Sequence, residues 1–93
     1  MALQFDWHEH KAKLNLRKHQ VSFEESKTIF DDPLFITLLD EEHSQDEERY
    51  LTIGESHLNR LLLVAHTEHD EYVRLISARK ATAHERRFYE TGF

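Results

Sequence analysis

Between Leu34 and Arg79 the chain carries four short apolar or alternating runs, and the gaps between them are too short for crossover helices. The runs are Leu34–Leu39, Arg49–Gly54, Arg60–Thr67 and Tyr72–Arg79. Parallel neighbours need a connection of about a dozen residues or more, whereas antiparallel neighbours need only a turn. Consecutive runs are therefore expected to pair antiparallel, as a meander, with Arg60–Thr67 the most buried.

Helical signals flank this block. Residues 9–19 contain no β-branched residue, and Leu14 and Leu16 stand among Lys11, Lys13, Arg17 and Lys18. Ser22-Phe23-Glu24-Glu25 has the spacing of a capping box, in which Ser22 accepts from the backbone of Glu25 and the Glu25 side chain reaches back. The helix it opens should run to about Asp31 and stop at Pro33, with Val21 stapled onto its first turn. Thr82-Ala83-His84-Glu85 repeats the pattern and opens a short C-terminal helix ending near Glu90. Phe5 and Trp7, two apart, predict a short first strand. The order β-α-α-β-β-β-β-α reads as one α+β domain over residues 1–93: a mostly antiparallel sheet, two N-terminal helices and one short C-terminal helix. Phe23, Phe30, Leu62, Val64 and Ile76 are the expected core.

Composition removes several chemistries. Of the 93 residues 39% are hydrophobic and 11% aromatic, enough to fill a small core and to argue against disorder. The chain has no cysteine, which excludes disulfides, thiolate zinc sites and a cysteine nucleophile. Neither His8 with His10 nor His66 with His69 has metal-ligand spacing, and no HExxH pattern occurs, so no metal or cofactor is expected. No glycine-rich phosphate loop or nucleophile elbow is present. No apolar run approaches the roughly 18–20 residues of a membrane span. Met1–Trp7 lacks the pattern of a signal peptide, so a cytoplasmic location without membrane association is expected.

The net charge of −6 is unevenly spread. Residues 1–31 are balanced, and residues 60–93 carry one excess positive charge. Residues 32–59 set Arg49 against Asp32, Asp40, Glu41, Glu42, Asp46, Glu47, Glu48 and Glu55. The stretch Asp40–Glu48 is expected to be a solvated loop, with a contact surface for a basic partner as the alternative. Cations gather instead at the end of the fourth run. Period 2 would put Arg74, Ile76 and Ala78 on one face and Val73, Leu75, Ser77 and Arg79 on the other, followed by Lys80. Glu85 and Tyr89, four apart, share a helix face next to Arg86. Arginine can grip a phosphate bidentately, and tyrosine can stack on a base or donate its hydroxyl, so these residues read as a candidate anion site. The plainer alternative is an ion-pair network of Arg86 and Arg87 with Glu85 and Glu90. His66 interrupts an apolar strand and reads either as a satisfied structural residue or as a general acid or base.

The runs Asn15–Phe23, Phe30–Pro33, Glu48–Gly54, Val64–Glu68 and Arg74–Thr82, then Glu85-Arg86 and Tyr89-Glu90, together resemble the BrnT family over nearly the whole chain. Ile76-Ser77-Ala78-Arg79-Lys80-Ala81-Thr82 is the most specific part. The resemblance implies a RelE-like fold and an endoribonuclease toxin of a type II toxin–antitoxin module that inhibits translation. It also implies a partner, a BrnA-like ribbon-helix-helix antitoxin that neutralises the toxin in a hetero-oligomer and carries it to operator DNA. Cleavage would proceed without metal, by attack of the ribose 2′-hydroxyl. Carried over residue by residue, the catalytic candidates are His66, Arg74, Arg79, Glu85 and Tyr89, and the RNA-binding candidates are Arg49, Lys80 and Arg86. Arg74 and Arg79 would hold the phosphate, and His66 or Glu85 would act as general base. The alternative is a catalytically silent homologue that only binds antitoxin.

Two positions depart from the family pattern. Gln20 stands where glycine is usual after Lys-His, so a left-handed residue there would be strained. His8 stands where aspartate would cap the first helix.

Overall fold

The computed structural model describes Leu3–Gly92. Strand β1 is Gln4–Trp7, helix α1 Glu9–His19 and helix α2 Phe23–Ser26, which tightens into a 3-10 turn over Lys27–Asp31. Strand β2 is Ile36–Leu39, followed by a second 3-10 turn, Glu41–His43. Strands β3 (Tyr50–Glu55), β4 (Leu61–His69) and β5 (Tyr72–Lys80) lead to helix α3, Ala83–Thr91. The sheet order is β1-β5-β4-β3-β2, with β2 to β5 the expected antiparallel meander. Strand β1 adds to the edge of β5 in parallel, placing Phe5 beside Val73 and Trp7 beside Leu75.

Local polar contacts move some boundaries. Strand β2 begins at Ile36 rather than Leu34 because Asp32 captures the chain around Pro33. Its Oδ1 accepts the Leu34 N–H at 2.9 Å, and its carbonyl accepts the Phe35 N–H at 3.2 Å. Ser22 accepts from the Glu25 N–H at 3.0 Å, as expected of a cap. Glu25, however, does not reach back. Its buried carboxylate pairs with Arg60 and accepts from Ser56 Oγ at 2.6 Å. The Arg60 hydrogen bonds are the main reason this carboxyl lies below its usual range. A buried carboxylate requires a cation, and that requirement outweighs closing a capping box. His8 makes no side-chain cap to α1.

One face of the sheet carries the core. Leu62, Val64, Val73, Leu75 and Ala78 meet Val21, Phe23 and Ile29 from the helical segment, with Phe5, Trp7, Ala12 and Phe30 at its margin. The expected core is correct for Phe23, Leu62 and Val64, but Ile76 is only half-buried. The cause is a β-bulge. Ala65 faces Ser77 and His66 faces Leu75, which leaves Ile76 unpaired. The extra residue reverses the alternation, so Arg74 shares the outer face with Ser77 and Arg79, and Ala78 joins Val73 and Leu75 inside. The simple period-2 assignment of β5 is thereby corrected.

Asn15 stitches α1 to this strand. Strand β1 covers β5 only over Tyr72–Leu75, so the edge beyond needs other partners. Asn15 Oδ1 accepts the Ala78 N–H at 3.0 Å, and its Nδ2 donates to the Ala78 carbonyl and the Val21 carbonyl, both at 2.9 Å. Asn15→Ala leaves these buried backbone groups unpaired and should lower stability by about 3 kcal/mol in urea denaturation; a loss below about 1 kcal/mol would mean water replaces the amide. At the end of α1, Gln20 is left-handed, with φ 57°, and its N–H donates to the Leu16 carbonyl. Gln20→Gly should raise the melting temperature, by up to about 1 kcal/mol of relieved strain; no rise would show that the Gln20 side-chain bond to the Arg17 carbonyl already offsets it.

Candidate active site

The last turn of β5 and the first turn of α3 are fastened by one carboxylate. Arg79 Nη1 and Nη2 donate to the two oxygens of Glu85, each at 2.8 Å. The same Glu85 accepts from the Thr82 N–H at 2.8 Å, while Thr82 Oγ1 accepts from the Glu85 N–H, completing the capping box. Hydrogen bonding to Arg79 holds the Glu85 carboxyl below its ordinary range, and Glu85 raises Arg79 in turn. Glu85 is thus committed as an anion that orients a guanidinium. Arg79 also donates to the Lys80 carbonyl at 3.2 Å and keeps further N–H groups free for a ligand.

Arg79 opens onto a cleft of about 410 Å³ on the outer face of the sheet. Leu51, Leu63, Ala65 and Ser77 form its floor. His19 enters from the end of α1, Arg49 from the start of β3, and Asp40, Glu42 and His43 from the turn after β2. His43 Nδ1 lies 2.9 Å from Asp40 Oδ2. Asp40, Glu42 and His43 bring their ligand atoms within 4.8 Å of one another, which makes them the cluster among the described residues able to hold a cation. The arrangement sets cationic and imidazole groups around a shallow, partly apolar floor, with an acidic wall on one side.

Of the residues singled out from sequence, the fold brings together Arg79, Glu85 and Arg49. The others lie apart. Arg74 is on the same outer face but pairs with Asp6 of β1 at 3.3 Å. Lys80 and Arg86 are exposed, the first at the end of β5 and the second on α3. Tyr89 donates its hydroxyl to Asp32 Oδ2 at 2.5 Å, tying α3 to the Pro33 turn. Burial, and then this contact, push Tyr89 up to about 12. His66 lies on the core face, fully buried, with the sheet between it and Arg79. Its Nε2 is 2.7 Å from Thr52 Oγ1, and its ring stacks on Tyr50 and meets the edge of Phe30. His19 and His43 line the cleft although sequence spacing did not single them out. The available signal for His19 was its place inside the Asn15–Phe23 run that carries the family resemblance.

A profile of the family described as ribonuclease toxin, BrnT, of type II toxin–antitoxin systems matches residues 7–85. The chain belongs to the BrnT family. As a BrnT toxin it is a ribonuclease of a type II module and has an antitoxin as partner. Its fold is similar to the crystal structure of the Brucella abortus ribonuclease toxin BrnT, with a TM-score of 0.63 and 19% identity, over 87% of this chain and 99% of that one. At that identity the likeness speaks to the fold alone. No curated protein matches the chain. Among the described residues no helix is long and apolar enough to cross a membrane.

Burial pushes His66 down to about 4, so the folded state holds it neutral. Its contribution to stability is complete above pH about 6.5 and is lost as pH falls toward 4, because the unfolded chain binds the proton first. Up to about 3 kcal/mol should disappear across that window. Urea midpoints of the wild type should fall more steeply between pH 6.5 and 4 than those of His66→Gln; parallel curves would show that His66 is not held neutral.

Proposed function

We propose that this BrnT toxin cleaves RNA at the Arg79 cleft, without metal, by attack of a ribose 2′-hydroxyl on the adjacent phosphate. The observation that carries the reading is the bidentate Arg79–Glu85 pair at a cleft shared with Arg49, His19 and His43. Arg79, its plane fixed by Glu85, binds the scissile phosphate together with Arg49 and stabilises the charge that builds on the phosphorane. His19 takes the proton of the 2′-hydroxyl. The 2′ oxygen bonds to phosphorus as the bond to the 5′ oxygen breaks, and His43 returns a proton to that leaving oxygen. The products are a 2′,3′-cyclic phosphate and a 5′-hydroxyl.

In this scheme Glu85 is a positioning residue, since a carboxylate committed to Arg79 is a weak base. His66 and Tyr89 have structural roles, supported by their contacts with Thr52 and Asp32. Arg74, Lys80 and Arg86 add positive field at a distance from the scissile phosphate. The cellular consequence is inhibition of translation in the cytoplasm. A BrnA-type ribbon-helix-helix antitoxin neutralises the toxin in a hetero-oligomer and brings it to operator DNA.

Purified protein should cut a defined RNA in excess chelator and leave cyclic phosphate ends. Arg79→Ala and His19→Gln should each slow cleavage about a hundredfold or more, with far-UV circular dichroism unchanged. Cleavage only after a divalent cation is added would overturn the metal-free scheme. Full activity of both variants would move the site elsewhere. A protein that neither cuts RNA nor arrests growth would be a silent, antitoxin-binding homologue.

A further inference from the structure

The cleft has a second opening. Beside it, a groove runs between α1 and the bulge of β5, lined by Lys11, Leu14, Lys18, His19, Ile76 and Ser77. His19 and Ser77 belong to both the groove and the cleft, so the two are continuous. Lys11 and Lys18 lie seven residues apart on α1 and therefore share its outward face, about 10 Å apart along the axis. Both are exposed, and neither forms an ion pair among the described residues. The bulge turns Ile76 out of the strict alternation, and with Leu14 it gives the groove an apolar floor. On the other side of the cleft stand Asp40 and Glu42, which repel a phosphate chain.

We propose that this groove binds the single-stranded RNA that leaves the cleft, with Lys11 and Lys18 holding phosphates and Leu14 and Ile76 seating a base. The proposal rests on the ribonuclease reading of the cleft. A polyanion threaded past Arg79 must leave on one side, and the acidic wall closes the other. The groove also accounts for how a chain of net charge −6 binds RNA. Counterion release depends on the few cations that touch phosphate, not on the sum over the molecule. A base needs an apolar surface as well as a charged rail, and the paired Leu14 and Ile76 supply one beside the two lysines.

The probe is a fluorescent dodecamer of 2′-O-methyl RNA, which binds but cannot be cut because the attacking hydroxyl is blocked. Its anisotropy is followed at several salt concentrations with the wild type and with Lys11→Glu/Lys18→Glu. Lys13→Glu/Lys27→Glu is the charge-matched control outside the groove. The groove variant should bind about tenfold more weakly near 0.1 M salt, with a salt slope smaller by about 1.4 for two lost phosphate contacts. The control should change less than about twofold. Equal losses in both variants would make the effect one of net charge and overturn the groove. So would unchanged binding in the groove variant, absent binding by the wild type, or a loss of antitoxin affinity without loss of RNA. Binding of the dodecamer by a wild type that cuts no ordinary RNA would instead sink the ribonuclease reading of the cleft and leave the groove standing.

Discussion

The three hydrogen bonds of Asn15 are what the candidate site depends on. A sheet edge beyond the reach of its neighbouring strand exposes pairs of backbone groups that must find partners. Here one side-chain amide does so from inside a helix, binding both groups of Ala78 and reaching Val21 as well. The contact fixes the position of α1 along β5 one residue before Arg79. It therefore sets where His19, four residues on from Asn15, stands relative to the guanidinium. Asparagine is a poor choice for a helix interior on propensity alone. Its presence makes sense only because the helix is also acting as the missing strand.

Glu85 ties the next link. It is at once the third residue of a helix cap and the bidentate partner of Arg79, so the start of α3 and the plane of the arginine are determined together. Arginine held this way loses little freedom when it meets a phosphate, which favours recognition of a planar, charged group. Around it the chain separates its charges. Arginines reach the cleft from β5 and the start of β3 and an imidazole from α1, while the acidic excess of residues 32–59 is concentrated on the turn after β2 and the loop that follows.

Much of the architecture was legible because alternation and capping are local signals. The meander follows from four runs and short gaps, and both serine and threonine caps stand where their spacing puts them. What escaped was decided by partners far away in the chain. Glu25 fits a capping box locally, but Arg60, 35 residues on, claims it. The bulge at Ile76 could not be read from β5 alone, because it depends on which residues of β4 lie opposite. Once that partner is known the bulge is compulsory, since a regular strand with Arg74 outward would force Arg79 into the apolar core. The same reversal decides the site. It puts Arg79 on the outer face and leaves His66 on the inner one, so two residues carried over from separate stretches of the family pattern serve opposite sides of the sheet. Sequence order brought Arg79 and Glu85 together because only six residues separate them; His19 and Arg49 reach the cleft through tertiary packing that no spacing announces.

Helix α3 contains no fully buried residue; its polar fastenings are Glu85 on Arg79 and Tyr89 on Asp32, and its half-buried Phe88 faces Leu38, Leu51, Ile53 and Leu63 of the sheet. The rest of the chain is held by its apolar core. The two parts therefore answer to different variables. Releasing the core exposes much apolar surface and carries a large heat-capacity change, so its stability curves strongly with temperature. Releasing α3 exposes only the smaller apolar surface around Phe88 and Ile53, and its cost also includes an ion pair and a phenol–carboxylate contact, both sensitive to ionic strength and acidity. The solvent's ions therefore act more on the helix that holds the toxin's arginine in place than on the body of the chain.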